Sequence, residues 1–148
     1  MTTRAGRDIP SAGASGEHAP AAILETALYV DDLEAARAFY GGVIGLALVT
    51  QAPGRHVFFR CGQGMLLLFD PEASARPSHS GPPVPKHGAR GAGHMCFASA
   101  DLDAWVSRFA AAGIPIEADF RWPNGARSIY LRDPAGNSVE FAEPRLWE

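Results

Sequence analysis

One order of elements is written twice in this chain, and that repetition restricts the fold more than any other feature. Alternating residues over 23–30, with Thr26, Leu28 and Val30 on one face and Glu25, Ala27 and Tyr29 on the other, predict a strand. Asp31 and Asp32 then offer an N-cap, and Asp31 with Glu34 has capping-box spacing. Leu33, Ala36, Phe39, Tyr40 and Val43 follow at helical spacing, and Gly45 closes the helix. Short strands come next around 47–49, 56–60 and 65–69, the last two joined by the loop Gly62-Gln63-Gly64. After an irregular stretch the order returns. A strand over 92–98 leads to the cap Asp101 and to a helix marked by Leu102, Trp105, Val106, Phe109 and Ala112. Strands around 115–118, 128–131 and 138–141 complete the second copy. Glu25 stands seven residues before Asp32, and His94 stands seven before Asp101, so equivalent strand positions carry a carboxylate and an imidazole.

The last two strands are joined by Asp133-Pro134-Ala135-Gly136-Asn137, in which Pro presets φ and Gly and Asn tolerate a tight reversal. Val139 and Phe141 share one face of the final strand, which turns Glu140 to the other. By the same parity Glu25 opposes Leu28 and Val30, and His94 opposes Met95 and Phe97. Three potential ligands therefore share the non-core face of three strands. A buried carboxylate needs a cation, donors or a proton. For each residue alone the plain alternative is structural: a hydrogen-bonded core histidine, or a glutamate paired with Arg60 or Arg132.

Composition excludes several classes. A net charge of −3 gives no basic field for nucleic acid, and no apolar run is long enough to span a membrane. Two cysteines, Cys61 and Cys96, give no disulfide framework and suit a reducing cytoplasm. The stretch 1–20 is rich in Gly, Ala, Ser and Pro without an apolar h-region, which predicts a disordered tail and no secretory signal. The expected organisation is one domain over 21–148, with modules at about 21–70 and 92–143 joined by the loop 70–93. That loop holds His79, Lys86, His87 and Arg90. A loop so long inside a compact domain is functional or disordered; His79 and Lys86 read as solvated.

In this duplicated order, the segment 29–40, the Gly93-His94…Asp101 pair and the 130–140 hairpin together resemble the vicinal oxygen chelate superfamily, the glyoxalase/bleomycin-resistance/extradiol-dioxygenase group. The resemblance spans 23–141 and implies an α+β fold of paired βαβββ modules curling into an incomplete barrel. It implies a small oxygen-chelating substrate and a divalent ion (Mn, Fe, Co, Ni, Zn or Mg) held by Glu25, His94 and Glu140. The fourth ligand position of the family falls near Leu67, which cannot ligate. One imidazole with two carboxylates makes a hard site, unsuited to Cu(I). The resemblance further implies isomerase, lyase or thiol-transfer chemistry, with Glu140 and Glu25 as proton carriers. Tyr130 would place a phenol beside the ion or pack across strands, and His87 would act as a lid base or orienter. Arg90, Arg127 and Cys96 are candidate substrate contacts. Alternatives are a non-catalytic drug-binding protein of the bleomycin-resistance kind, or an extradiol-type dioxygenase. The dioxygenase signature wants a histidine shortly before Tyr130, and residues 120–127 contain none. Family members pair modules within a chain or across a homodimer, so Glu25 would meet His94 and Glu140 of its own chain or of a second copy.

Overall fold

The computed structural model describes residues 19–77 and 80–148. Its elements are β1 (Glu25–Tyr29), α1 (Leu33–Arg37), β2 (Ala47–Ala52), β3 (His56–Cys61), β4 (Gly64–Phe69), the single turn α2 (Pro71–Ser74), β5 (His94–Ala98), α3 (Leu102–Ala111), β6 (Ala118–Arg121), β7 (Arg127–Arg132) and β8 (Ser138–Ala142). They form two separate four-stranded mixed sheets, ordered β1-β4-β3-β2 and β5-β8-β7-β6, and no closed barrel. In each, the leading strand pairs in parallel with the last, Ala27 opposite Leu67 in one and Cys96 opposite Glu140 in the other. The duplication is thus structural. Leu67 occupies in the first sheet the position that Glu140 holds in the second.

Both helices start where the sequence predicts, on side-chain caps: Asp32 accepts from the Ala35 amide and Asp101 from the Ala104 amide. The first helix does not stay α-helical to Val43. From Ala38 to Val43 it widens into a π-helix that includes Gly41 and Gly42. A Cβ at Gly41 would sit 3.1 Å from the Phe59 ring, so glycine lets this turn lie close on the sheet.

Leu28, Val30, Phe59, Leu66 and Leu68 from the first sheet and Phe97, Ile129, Leu131, Val139 and Phe141 from the second join one hydrophobic cluster with Phe39 and Phe109 of the helical segments. The two sheets share this core through one face each. The faces carrying Glu25 and Glu140 are the opposite ones, as strand parity requires.

The hairpin 133–137 does more than reverse the chain. Asp133 is buried, and its carboxylate accepts from Tyr40 Oη at 2.8 Å, Asn137 Nδ2 at 2.9 Å, and the amides of Ala135 and Asn137 at 3.0 and 2.8 Å. Asn137 Nδ2 also donates to the Tyr29 carbonyl at 3.0 Å, and its Oδ1 accepts from the Gly93 amide at 2.7 Å. One turn therefore ties the end of β1 and the first helical segment to the start of β5. Gly93 is seated tightly there. A Cβ on it would stand 2.9 Å from Leu28 Cδ2 and 3.2 Å from Asn137 Oδ1. Gly93→Ala is expected to lower stability by about 1–3 kcal/mol, the usual cost of overpacking, measured as a shifted denaturation midpoint.

Candidate active site

Glu140 is the buried charge of the second sheet, 5 % exposed on β8. Beside it, Nδ1 of His94 lies 3.1 Å from the Ser138 carbonyl. A carbonyl only accepts, so that nitrogen carries the ring proton and Nε2 is left to face Glu140 Oε2 at 3.3 Å. Two lone pairs at this distance require a proton, on the ring or on the carboxyl, or a cation between them. The other oxygen, Oε1, is buried and receives no hydrogen bond of good geometry among the described residues, although the Tyr130 hydroxyl and the Cys96 thiol both approach the Glu140 carboxylate as donors. A single proton shared by the pair answers only the first need; a divalent ion answers both. The 3.3 Å spacing matches two ligands on one ion, roughly 3.0–3.4 Å for bonds near 2.1 Å. The hydrogen bond behind the imidazole is also the orienting contact such a ligand needs. The donor set fits a hard divalent ion.

Around this pair the face is aromatic. The Tyr130 ring stacks between His94, 6.1 Å away at 17°, and Phe120, 5.7 Å away at 6°. Burial, and then the Glu140 carboxylate, push the Tyr130 phenol up to about 12. Burial, and then the charge of Glu140, push the Cys96 thiol up to about 12. At neutral pH both groups keep their protons and present donors, not nucleophiles.

The other predicted residues lie elsewhere. Glu25 is on the first sheet, where it lines a cavity together with His87. No group of three or more His, Cys, Asp or Glu that would hold a metal forms among the described residues of one chain. His87 arches over the first sheet, its Nδ1 2.7 Å from Tyr29 Oη and its ring edge-on to Phe69 at 4.6 Å. Arg127 points away from the site: Nε and Nη2 bond Asp119 at 2.8 and 2.7 Å, and Nη1 bonds Asp103 at 2.7 Å. Those acidic hydrogen bonds raise its pKa and occupy three of its five N–H donors. Its odd position on β7 puts it with Ile129 and Leu131 on the core side, while Tyr130 alternates to the other. Arg90 makes an exposed pair with Glu72 at 3.3 Å. Arg132, weighed as a partner for Glu140, bonds Glu117 instead. Lys86 is exposed, and His79 lies outside the described residues. Cys61 and Cys96 are both free.

A family model for the Glyoxalase/Bleomycin resistance protein/Dioxygenase superfamily matches residues 22–141. The chain belongs to this superfamily. Among solved structures it is similar to the lactoylglutathione lyase from Agrobacterium tumefaciens, at 56% identity and a TM-score of 0.82, covering 86% of this chain and 97% of that one. It is also similar to a virulence protein from Salmonella typhimurium, at 28% identity and a TM-score of 0.62, covering 82% and 95%. A glyoxalase/bleomycin resistance protein/dioxygenase from Nocardioides shares the fold at 24% identity and a TM-score of 0.66, covering 84% of each chain. No match was found among curated proteins. The chain is therefore glyoxalase-like in fold and family. Among the described residues no helix is long and apolar enough to cross a membrane.

Parity exposed the His94–Glu140 face to sequence reasoning but left the opposite cavity unseen. His56 and Phe58 alternate with Val57 and Phe59 along β3, which marks them as facing away from the core. That signal was present, with nothing to show that the rings would be covered.

Proposed function

We propose that this superfamily member is a metal-dependent lyase or isomerase of the glyoxalase kind, acting on a small substrate with two adjacent oxygens. The observation that carries the proposal is the buried Glu140 carboxylate, its Oε1 without a hydrogen bond of good geometry among the described residues and its Oε2 facing His94 Nε2 at 3.3 Å. The similarity to a lactoylglutathione lyase favours lyase chemistry that ends in a thioester. His94 and Glu140 would hold the ion, with Glu25 of a second copy as the third ligand. Glu25 is exposed on β1, an edge strand of its sheet, where a second chain has access. A bound divalent ion supplies Lewis-acid polarisation of the substrate oxygens. A glutamate oxygen at the site takes a proton from the substrate carbon and returns it to the neighbouring one. Tyr130, held protonated, donates to an oxygen that gains charge, and its ring, with Phe120, walls the site from water.

The test is to load the protein with Mn²⁺, Co²⁺, Ni²⁺, Zn²⁺ or Mg²⁺ and follow thioester formation from methylglyoxal and glutathione. Activity with at least one ion, lost on chelation, is expected. Glu25→Ala and Glu140→Ala proteins should each be inactive, yet recover about a quarter of the activity when unfolded and refolded together, since only mixed dimers hold an intact site. No recovery would place the three residues in one chain or dismiss Glu25. A second reading, a drug-binding protein without chemistry, is favoured by the ring-lined cavity of the first sheet, and predicts ligand binding with no response to any ion.

A further inference from the structure

The cavity over the first sheet is distinct within the chain from the His94–Glu140 face, and has a volume of about 600 Å³, in the size range of small-molecule sites. Its walls are rings. His56 stacks on Phe58 at 4.1 Å with planes 15° apart, and Phe69 meets Phe58 edge to face at 5.2 Å. Leu67 lies between them on β4, across from Phe58. Pro82, Val84 and Pro85 close the space from the loop side. The loop is held down at His87, whose amide donates to the Ser74 carbonyl at 3.0 Å and whose ring bonds Tyr29.

Charge in this lining is sparse. Glu25 contributes a carboxylate, and Arg55 is the lysine-or-arginine cation among the lining residues, with Nη1 already donating to the Ala73 carbonyl at 3.0 Å. Burial, and then Arg55 nearby, lower the His56 pKa, so its ring is neutral at pH 7 and serves as wall. A tripeptide with two carboxylates would meet one carboxylate and a single guanidinium, one of whose donors is already bonded. A flat uncharged group would meet ring faces, ring edges and Leu67, the contacts that aromatic ligands exchange most favourably.

We infer that this cavity holds the flat aromatic or heteroaromatic part of a small uncharged ligand, between Phe58, Phe69 and His56, with Leu67 as its floor. The inference goes beyond the proposed function: the ligand it names is separate from the thiol and aldehyde of the thioester assay.

Binding is therefore tested without metal, on the full chain with a chelator present, using indole as probe and glutathione as comparison. Saturable shifts of the Leu67 methyl resonances by indole are expected, with glutathione leaving them in place. Phe58→Leu keeps the apolar volume but removes a ring, and should weaken indole about three- to tenfold. Leu67→Trp should fill the space and abolish saturable indole binding, read by equilibrium dialysis, at an unchanged melting temperature. If that variant fails to fold, the Phe58→Leu result and the map of shifted resonances still decide. Absence of saturable shifts at Leu67, retention of indole binding in folded Leu67→Trp, or equally strong binding of glutathione would each overturn the inference. None of those results touches the metal proposal, because no ion takes part.

Discussion

Asp133→Ala is expected to cost about 3–5 kcal/mol of folding stability, the range for stripping a buried charge from its partners. The carboxylate is 4 % exposed and accepts four hydrogen bonds. Alanine leaves the fully buried Tyr40 hydroxyl, two backbone amides and the Asn137 amide group without their acceptor. Each orphaned donor carries about 1–3 kcal/mol of desolvation, and the losses are not additive because the donors share one anion. Tyr40→Phe removes a single donor and should cost far less. Its hydroxyl is held protonated, first by burial and then by Asp133. The check is a denaturant titration: a large drop in midpoint for Asp133→Ala at unchanged slope. A loss below 1 kcal/mol would mean that the hairpin folds independently of β1 and the first helix. Because Asn137 passes the contact on to Tyr29 and Gly93, amide exchange should quicken at Gly93 as well as in the turn.

Glu140→Ala is expected to have opposite signs in two assays. In the metal-free protein it removes a buried carboxylate that meets His94 at 3.3 Å, lacks a well-formed partner at Oε1 and is approached otherwise by the Tyr130 hydroxyl and Cys96 thiol. Such a group adds little to stability and is often better replaced by carbon. The melting temperature should therefore hold or rise. Divalent-ion affinity should fall at least about a hundredfold, more than the loss seen on removing only an outer-shell partner, and thioester-forming activity should vanish with it. Equilibrium dialysis and calorimetry on the same preparations separate the effects. A fall in stability of about 3–5 kcal/mol with ion binding unchanged would make the pair an internal salt bridge and remove the basis for catalysis.

What was readable beforehand followed from short-range rules. Strand alternation identified the face of Glu140, and the caps at Asp32 and Asp101 gave both helix starts. The matched spacing before those caps revealed two copies of one module. The role of Asp133 was hidden by a sufficient local explanation: Asp-Pro-x-Gly-Asn already accounts for a turn, so nothing signalled that its carboxylate reaches Tyr40. The loop 70–93 has no periodicity, and its docking on Phe69 and Tyr29 depends on surfaces made by distant strands. Arg127 reads as a candidate substrate contact because its partners Asp119 and Asp103 come from another strand and a helix. The separation of Glu25 from His94 depends on how two modules lean together, which no pattern within either module records.

The shared register of the two sheets has a consequence for how such chains diversify. Leu67 and Glu140 are counterparts, as are Ala27 and Cys96, and each stands on an unaltered backbone ladder. Donors can be gained or surrendered at these positions by single codon changes, while the alternate residues stay committed to the interior. Reactivity in this architecture is thus free to drift without the scaffold having to relearn how to fold.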